Sequence, residues 1–260
     1  MKSRKPLHIF LAVEKALFLR ELNRKISVGK AGLFWTFFEP FMQVTMFILI
    51  RVQIMGRASA NYDIYVFMAS GFIAFNMFRK IFGGSSNIFI SNKGLYTYKQ
   101  VKPIDTMIAK SLESMFITSI IIFLFVCIGF FWQYDNMKPE NLLMVVAGYL
   151  WLALFAFGLG LIVAVGNTFF VSIGKIVAVT SFGLMIVSAV FFPLISVTPE
   201  YQKYFLYNPL VHFMEMIHGA YLYDLDDRFV DYRYMALWTV VSLFIGIWLY
   251  TRQEKKIISI

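Results

Sequence analysis

The chain has 260 residues, of which 59% are hydrophobic, 18% aromatic and only 15% charged; soluble domains carry about a quarter charged residues and under half apolar ones, so a soluble globular class is excluded. A formal charge of +9 raises the possibility of nucleic-acid binding, but in a membrane chain basic residues gather in cytosolic loops and set the topology, and no nucleic-acid partner is expected. The single cysteine, Cys127, lies in an apolar run, rules out an internal disulfide and reads as a small buried hydrophobe.

The first thirty residues carry eight Lys or Arg and two Glu, with no small-residue cleavage site after an apolar core, so no cleavable signal peptide is expected. Within them, about residues 7–26 form a helix too charged to span a membrane. Leu7, Leu11, Phe18, Leu22 and Ile26 share one side at helical spacing, while Glu14, Arg20, Glu21 and Arg24 fall largely on the other. Lys15 must snorkel from the apolar side. The pattern fits an amphipathic helix lying on the cytoplasmic interface, or an ordinary cytosolic helix.

Six spans follow, at residues 33–55, 64–82, 107–133, 142–168, 176–197 and 234–251. Each is near the roughly 20 apolar residues that cross ~30 Å of hydrocarbon. Residues 142–174 and 176–199 contain no Asp, Glu, Lys or Arg at all. Eighteen of the 24 Lys and Arg fall on the side of the termini, which the positive-inside rule assigns to the cytoplasm. An even number of spans agrees. The expected organisation is a cytoplasmic segment 1–32, a transmembrane domain 33–251 and a cytoplasmic tail 252–260.

Polar residues inside spans are costly and default to functional candidates. Glu39-Pro40 kinks or interrupts the first span, or marks the cytosolic interface before it. Arg79 and Lys80 end the second span about fifteen residues after Ile64, only ~22 Å of rise. Either they snorkel to the headgroups or they line an aqueous entrance, where two copies in a dimer form a basic ring for an anionic ligand. Residues 87–103, between the second and third spans, form a basic amphipathic segment that presents Leu95, Tyr96 and Tyr98 to a partner, or anchors them at the interface.

The loop from about residue 198 to 233 is acidic, as suits a translocated loop, yet residues 201–222 are dense in aromatics and split by Asn208-Pro209. The reading is two short half-helices dipping back into the membrane, or a helix flat on the outer interface. The fold class is therefore an all-α membrane protein of six spans, with an N-terminal interfacial helix and a re-entrant hairpin, residues 199–222, between spans five and six.

Catalytic machinery is not visible. Gly83-Gly84-Ser85-Ser86 lacks the spacing and the Lys of a phosphate loop. His8, His212 and His218 are the only histidines, and none joins a cluster with zinc-ligand spacing. His212, Glu215 and His218 lie within two helical turns, which allows a metal or proton-relay site or simply a water-facing helix end. No cofactor is expected on this chain.

These features in this order resemble the permease subunit of polysaccharide-export ABC transporters, most closely the capsular polysaccharide export type. The resemblance is carried by the basic N-terminal helix running into Phe34-Trp35 and Phe38-Glu39-Pro40. It continues in Asn92-Lys93-Gly94-Leu95 through Val101-Lys102-Pro103, and in Phe191-Phe192-Pro193-Leu194 followed by Tyr207-Asn208-Pro209-Leu210-Val211-His212. It covers essentially the whole chain. It implies a homodimer with two copies of a separate ATP-binding subunit, which holds the ATP and Mg, and a lipid-linked, acidic polysaccharide as substrate. It also implies periplasmic and outer-membrane export partners. Asn92, Lys93, Gly94, Leu95, Tyr96 and Tyr98 become ATPase-coupling candidates, and Pro193, Asn208, Pro209, His212 and Glu215 periplasmic gate candidates. A passage for an anionic sugar polymer favours inward basic residues and aromatic platforms, so Arg51, Arg79, Lys80, Trp35 and Tyr65 are the channel candidates. An O-antigen, teichoic-acid or small-molecule exporter, a membrane enzyme acting on lipid-linked sugars, and a secondary transporter are the competing readings.

Overall fold

The structure, a computed structural model, describes residues 6–26, 30–55, 62–222, 225 and 227–259. The described residues are helical with no strand: α1 (Pro6–Ile26), α2 (Lys30–Met55), α3 (Ile64–Phe82), a short α4 (Ile88–Ser91), α5 (Pro103–Phe131), α6 (Leu142–Phe169), α7 (Ser172–Val187), α8 (Pro199–Phe205), α9 (Pro209–Tyr221) and α10 (Tyr232–Ile258).

Local chemistry sets many of these ends. The Asp63 carboxylate caps α3 by accepting from the Tyr65 and Val66 amides at 2.9 and 3.2 Å. Pro103 opens α5 at a position that needs no amide donor, and Asp105 accepts from the Lys102 amide at 2.8 Å. Asn141 caps α6 through the Met144 amide, and Asp231 caps α10 through those of Arg233 and Tyr234. The helix α2 runs on through Pro40 without interruption.

Among the described residues, four stretches are long and apolar enough to cross a membrane: Ile64–Ser85, Pro103–Phe131, Leu142–Phe169 and Tyr232–Ile258. The other two expected spans correspond to α2 and α7, whose apolar stretches, Phe41–Ile50 and Ser172–Val187, are shorter. The fifth expected span was drawn to residue 197, but α7 stops at Val187. Ala189 there takes a positive φ of 58°, and Pro193 continues in extended backbone, so the apolar run cannot stay helical. The expected tail from residue 252 is no separate element, because α10 continues to Ile258.

The centre of the bundle is α6, packed against α10, α3, α9, α7 and α5. Its contact with α10 is backbone to backbone: a Cβ on Gly246 lies 2.8 Å from the Gly158 carbonyl oxygen. Small residues permit this approach, which is how helices associate where lipid removes the hydrophobic drive. Beside α6, helix α3 is more enclosed still, buried without a break from Val66 to Phe78. Phe47, Phe72 and Phe191 meet at 4.9 to 5.9 Å between centroids and tie α2 and α3 to the segment after α7.

The amphipathic helix α1 packs on α5, where Phe18 meets Phe116 edge to face at 5.6 Å between centroids. Leu7 and Leu11 point outward at 65% and 54% exposure, whereas Glu14, Leu17 and Glu21 are buried. In a membrane protein the outside is lipid, so apolar residues face out, while Glu21 turns inward and pairs with Arg20. Cys127 likewise lies on the exposed face of α5 rather than in the core.

Candidate functional site: a charged girdle, a clamped loop and a fastened hairpin

The candidate residues gather at two ends of the bundle. At the first, Glu113 of α5 is fully buried and pairs with Lys25 of α1 and, at 2.9 Å, with Lys110 one turn earlier. Lys80 of α3 is half-buried, within electrostatic reach of Lys25, Lys110, Glu39 and Glu113. Arg79 turns sideways and donates to Asn76 Oδ1 at 2.9 Å; Asn76 donates to Gln43, and Gln43 to Glu39. A polar seam thus joins α2 to α3 beside three lysines and one buried carboxylate. The lysines of α1 and α5 and Glu113 were not among the sequence candidates. Their only local signal is the three-residue spacing of Lys110 and Glu113.

Glu14 occupies the same α1–α5 contact, 7% exposed, and neither of its carboxyl oxygens has a hydrogen-bond partner. Burial, with the Asp105 charge adding to it, pushes its carboxyl up from 4.5 to about 7. An acid raised in the folded state binds its proton more tightly there, so the stabilisation is complete below about 4.5 and fades as pH climbs to about 7. Amide exchange in α1, corrected for its intrinsic pH dependence, should therefore be slower at pH ~5 than at pH ~8. Glu14→Gln should hold the slow rate at both; an equal pH response in the variant refutes Glu14 as the cause.

The segment 87–103 is held from behind. Ile88 and Phe89 are buried, with Phe89 against Tyr250. Asn92 is buried, donates to the Ile88 carbonyl at 2.8 Å and accepts from Arg20. Tyr96 is 7% exposed, its hydroxyl 3.2 Å from Thr106 Oγ1. Asn92 and Tyr96, expected to face a partner, instead clamp the loop to α1 and α5. Lys93, Gly94 and Tyr98 face outward, Tyr98 at 66% exposure, and Leu95 is half-buried. Behind them Asn167 donates to the Ser86 carbonyl and Asn87, and accepts from the Gly174 amide, joining α6, α7 and this loop.

At the other end, the predicted gate residues do converge, as fasteners. Asn208 caps α9 through the Leu210 amide and donates to Val187 and Ser188 at the end of α7. Glu215, buried, accepts from the Leu194 amide at 2.9 Å, just past Pro193. His212 Nε2 contacts the Leu206 carbonyl at 3.0 Å, while Nδ1 accepts from the Asp231 amide at 3.1 Å and lies 2.9 Å from the Phe229 carbonyl. His218 is not beside them: it stacks on Phe67 at 3.9 Å and fills the space left by Gly71. Among the described residues, no group of three His, Cys, Asp or Glu is placed to hold a metal.

Among the described residues, the channel candidates Trp35 and Tyr65 stand apart from Arg79 and Lys80. Tyr65 stands in the first turn of α3, on the wall of an apolar cavity of about 550 Å³ between α2, α3 and α5. Arg79 and Lys80 sit in that helix's last turn. Trp35 is exposed near the start of α2, packed with Phe34 and Phe38. The Arg51 side chain lies outside the described residues.

Comparison with known proteins places this architecture. The ABC-2 type transporter family matches residues 13–222. Polysialic acid transport protein KpsM of Escherichia coli is 32% identical across 94% of this chain and 95% of its own length. Capsule polysaccharide export inner-membrane protein CtrC of Neisseria meningitidis serogroup A is 26% identical over 93% of this chain and 91% of its own. The corresponding BexB of Haemophilus influenzae is 25% identical over 90% and 88%. With four helices able to cross a membrane and a match over most of its length, the chain belongs to the ABC-2 type transporter family.

Proposed function

We propose that this chain is the membrane permease of an ATP-driven exporter that moves a lipid-linked, acidic capsular polysaccharide across the bacterial inner membrane. The observation that carries the reading is end-to-end similarity to a polysialic acid transport protein and to two capsule export inner-membrane proteins. The permease works as a homodimer with two copies of a separate ATP-binding subunit. In this reading α2 and α7 complete six spans, both termini are cytoplasmic, and α8 and α9 form the re-entrant outer hairpin. The excess of basic residues beside the termini and the acidic loop after α7 support that orientation.

Segment 87–103 receives the ATPase through Lys93, Gly94, Leu95 and Tyr98, while Asn92 and Tyr96 hold its shape. Residues 199–222, with Pro193, form the outer gate. Its fasteners Asn208, His212 and Glu215 let the hairpin move as one body. Arg51, Arg79, Lys80, Trp35 and Tyr65 belong to the passage between the two protomers, and export partners continue the path beyond the membrane.

Reconstitution with and without the partner ATPase tests the reading. Uptake of lipid-linked acidic polysaccharide into inverted vesicles should require this chain, the ATPase and ATP together. Transport by this chain alone, driven by an ion gradient, refutes it.

A further inference from the structure

The three lysines around Glu113 pose a charge problem that the protein does not solve internally. Lys25 and Lys110 share one carboxylate, and their side chains are only 28% and 14% exposed. Lys80 lies within electrostatic range of the same group and makes no ion pair among the described residues. Glu39, the other carboxylate within reach, is exposed and engaged by Gln43. Arg79 alongside adds a further cation whose side chain meets only an amide oxygen. Partly dehydrated cations in excess over carboxylates are unfavourable unless an anion joins them.

The depth of the cluster narrows which anion that is. Glu113 lies ten residues into α5, and the helix beyond it, to Phe131, rises ~27 Å, about the thickness of the hydrocarbon. Lys110 and Glu113 therefore mark the boundary at which lipid phosphates lie. There is also room: a Cβ at Gly84 has only Lys110 Cε for a neighbour, at 3.7 Å, so no side chain covers the lysine stem from that side. All three corners are lysine, compact charges with rotatable donors of a kind that binds phosphate as point charges.

We propose that Lys25, Lys80 and Lys110, arranged around Glu113, bind the phosphate of a lipid headgroup at the cytoplasmic boundary of the membrane. The chemistry is a phosphate ester on a lipid. It belongs either to a bilayer phospholipid or, resting on the exporter reading above, to the anchor of the exported polymer. Glu113 keeps two of the lysines in place when the headgroup is absent, and Lys80 supplies the charge left for the ligand.

Native mass spectrometry of the purified full chain tests the site, with a short-chain phosphatidylglycerol, the matching diacylglycerol and inorganic phosphate as probes. Phosphatidylglycerol should bind at least about tenfold more tightly than diacylglycerol, and Lys80→Gln should remove about that factor. Lys80→Arg should retain most of the binding, and Lys255→Gln, exposed on α10, all of it. Equal affinity for the two lipids, or unaltered phosphatidylglycerol binding in Lys80→Gln, overturns the site. Inorganic phosphate binding as tightly as the lipid overturns the headgroup assignment. Export separates the two sources: a parallel loss in Lys80→Gln cells assigns the phosphate to the polymer's anchor, and unchanged export assigns it to a bilayer lipid with the site standing. Were the wild-type chain to export no polysaccharide yet bind phosphatidylglycerol, the exporter reading would fail and the site remain.

Discussion

Gly158→Leu should all but prevent the bundle from assembling, and Gly158→Ala should already destabilise it measurably. A Cβ at position 158 meets Ser242 Oγ at 2.6 Å, the Leu243 amide nitrogen at 2.7 Å and the Ser242 carbonyl carbon at 2.8 Å. Two of those atoms are backbone, so no rotamer change relieves the clash, and α10 must move away from α6. The same contact is tight from the other side at Gly246. Overpacking of a formed contact costs about 1–3 kcal/mol for a few atoms, against a total of roughly 5–15 kcal/mol for a folded protein. Within lipid no hydrophobic term restores the lost packing. Gly183 is the control, because a Cβ there meets nothing within 4 Å. Gly183→Leu should leave thermal unfolding in detergent nearly unchanged, since a solvent- or lipid-facing Gly replacement gains at most about 1 kcal/mol of helix propensity. If Gly158→Leu and Gly183→Leu unfold at the same temperature, the α6–α10 contact does not organise the bundle.

Where one local rule suffices, sequence and structure coincide. The predicted second span, 64–82, has the bounds of α3, because Asp63 is a capping residue and the run after it is mostly apolar. The fourth ends within one residue of α6, and the break at Asn208-Pro209 falls where two short helices meet. Proline and a side chain able to cap are short-range signals. The end of α7 was hidden because residues 188–197 are nearly as apolar as a span; the helix stops at the backbone turn at Ala189, four residues before Pro193, and nothing in the alanine side chain announces it.

The errors of facing have another cause. Helical periodicity sorts α1 into two sides, but it cannot say which side meets protein when the alternative is lipid rather than water. The polar contacts of α1 with the rest of the bundle, Arg20 with Asn92 and Lys25 with Glu113, join residues far apart in the chain. The Lys25–Glu113 pair joins α1 to α5 across three intervening helices, so no window of sequence contains it. Tyr96 and Tyr98 stand two residues apart in an irregular loop, where alternation has no fixed period; one clamps Thr106 and the other faces out. Segment and composition were legible, and the partner of each charge was not.

That division of labour within the loop gives the second large effect, which rests on the exporter reading. Leu95→Asp with Tyr98→Asp should abolish ATP-driven export while leaving the bundle folded. Tyr98 is exposed, Leu95 half-buried, and the Gly94 backbone between the clamps is open on its outer side, with Lys93 and Lys99 flanking. Tyr98 stands clear of its own chain and Leu95 is only partly covered by it, so the loss of both should fall mainly on a partner. An aromatic anchor seated in a pocket is worth at least about 2 kcal/mol, or about thirtyfold in affinity. Two carboxylates put into that pocket add desolvation to the loss. Tyr96→Phe is the contrasting variant: it removes the hydroxyl contact to Thr106, costs about 1 kcal/mol of stability and leaves the outer surface intact. Co-purification with the ATPase and cell-surface polysaccharide should therefore collapse in the double variant and survive in Tyr96→Phe, with thermal unfolding showing the reverse order. Full association and export in the double variant would mean that these side chains anchor the loop at the membrane surface, and that the ATPase docks elsewhere on the chain.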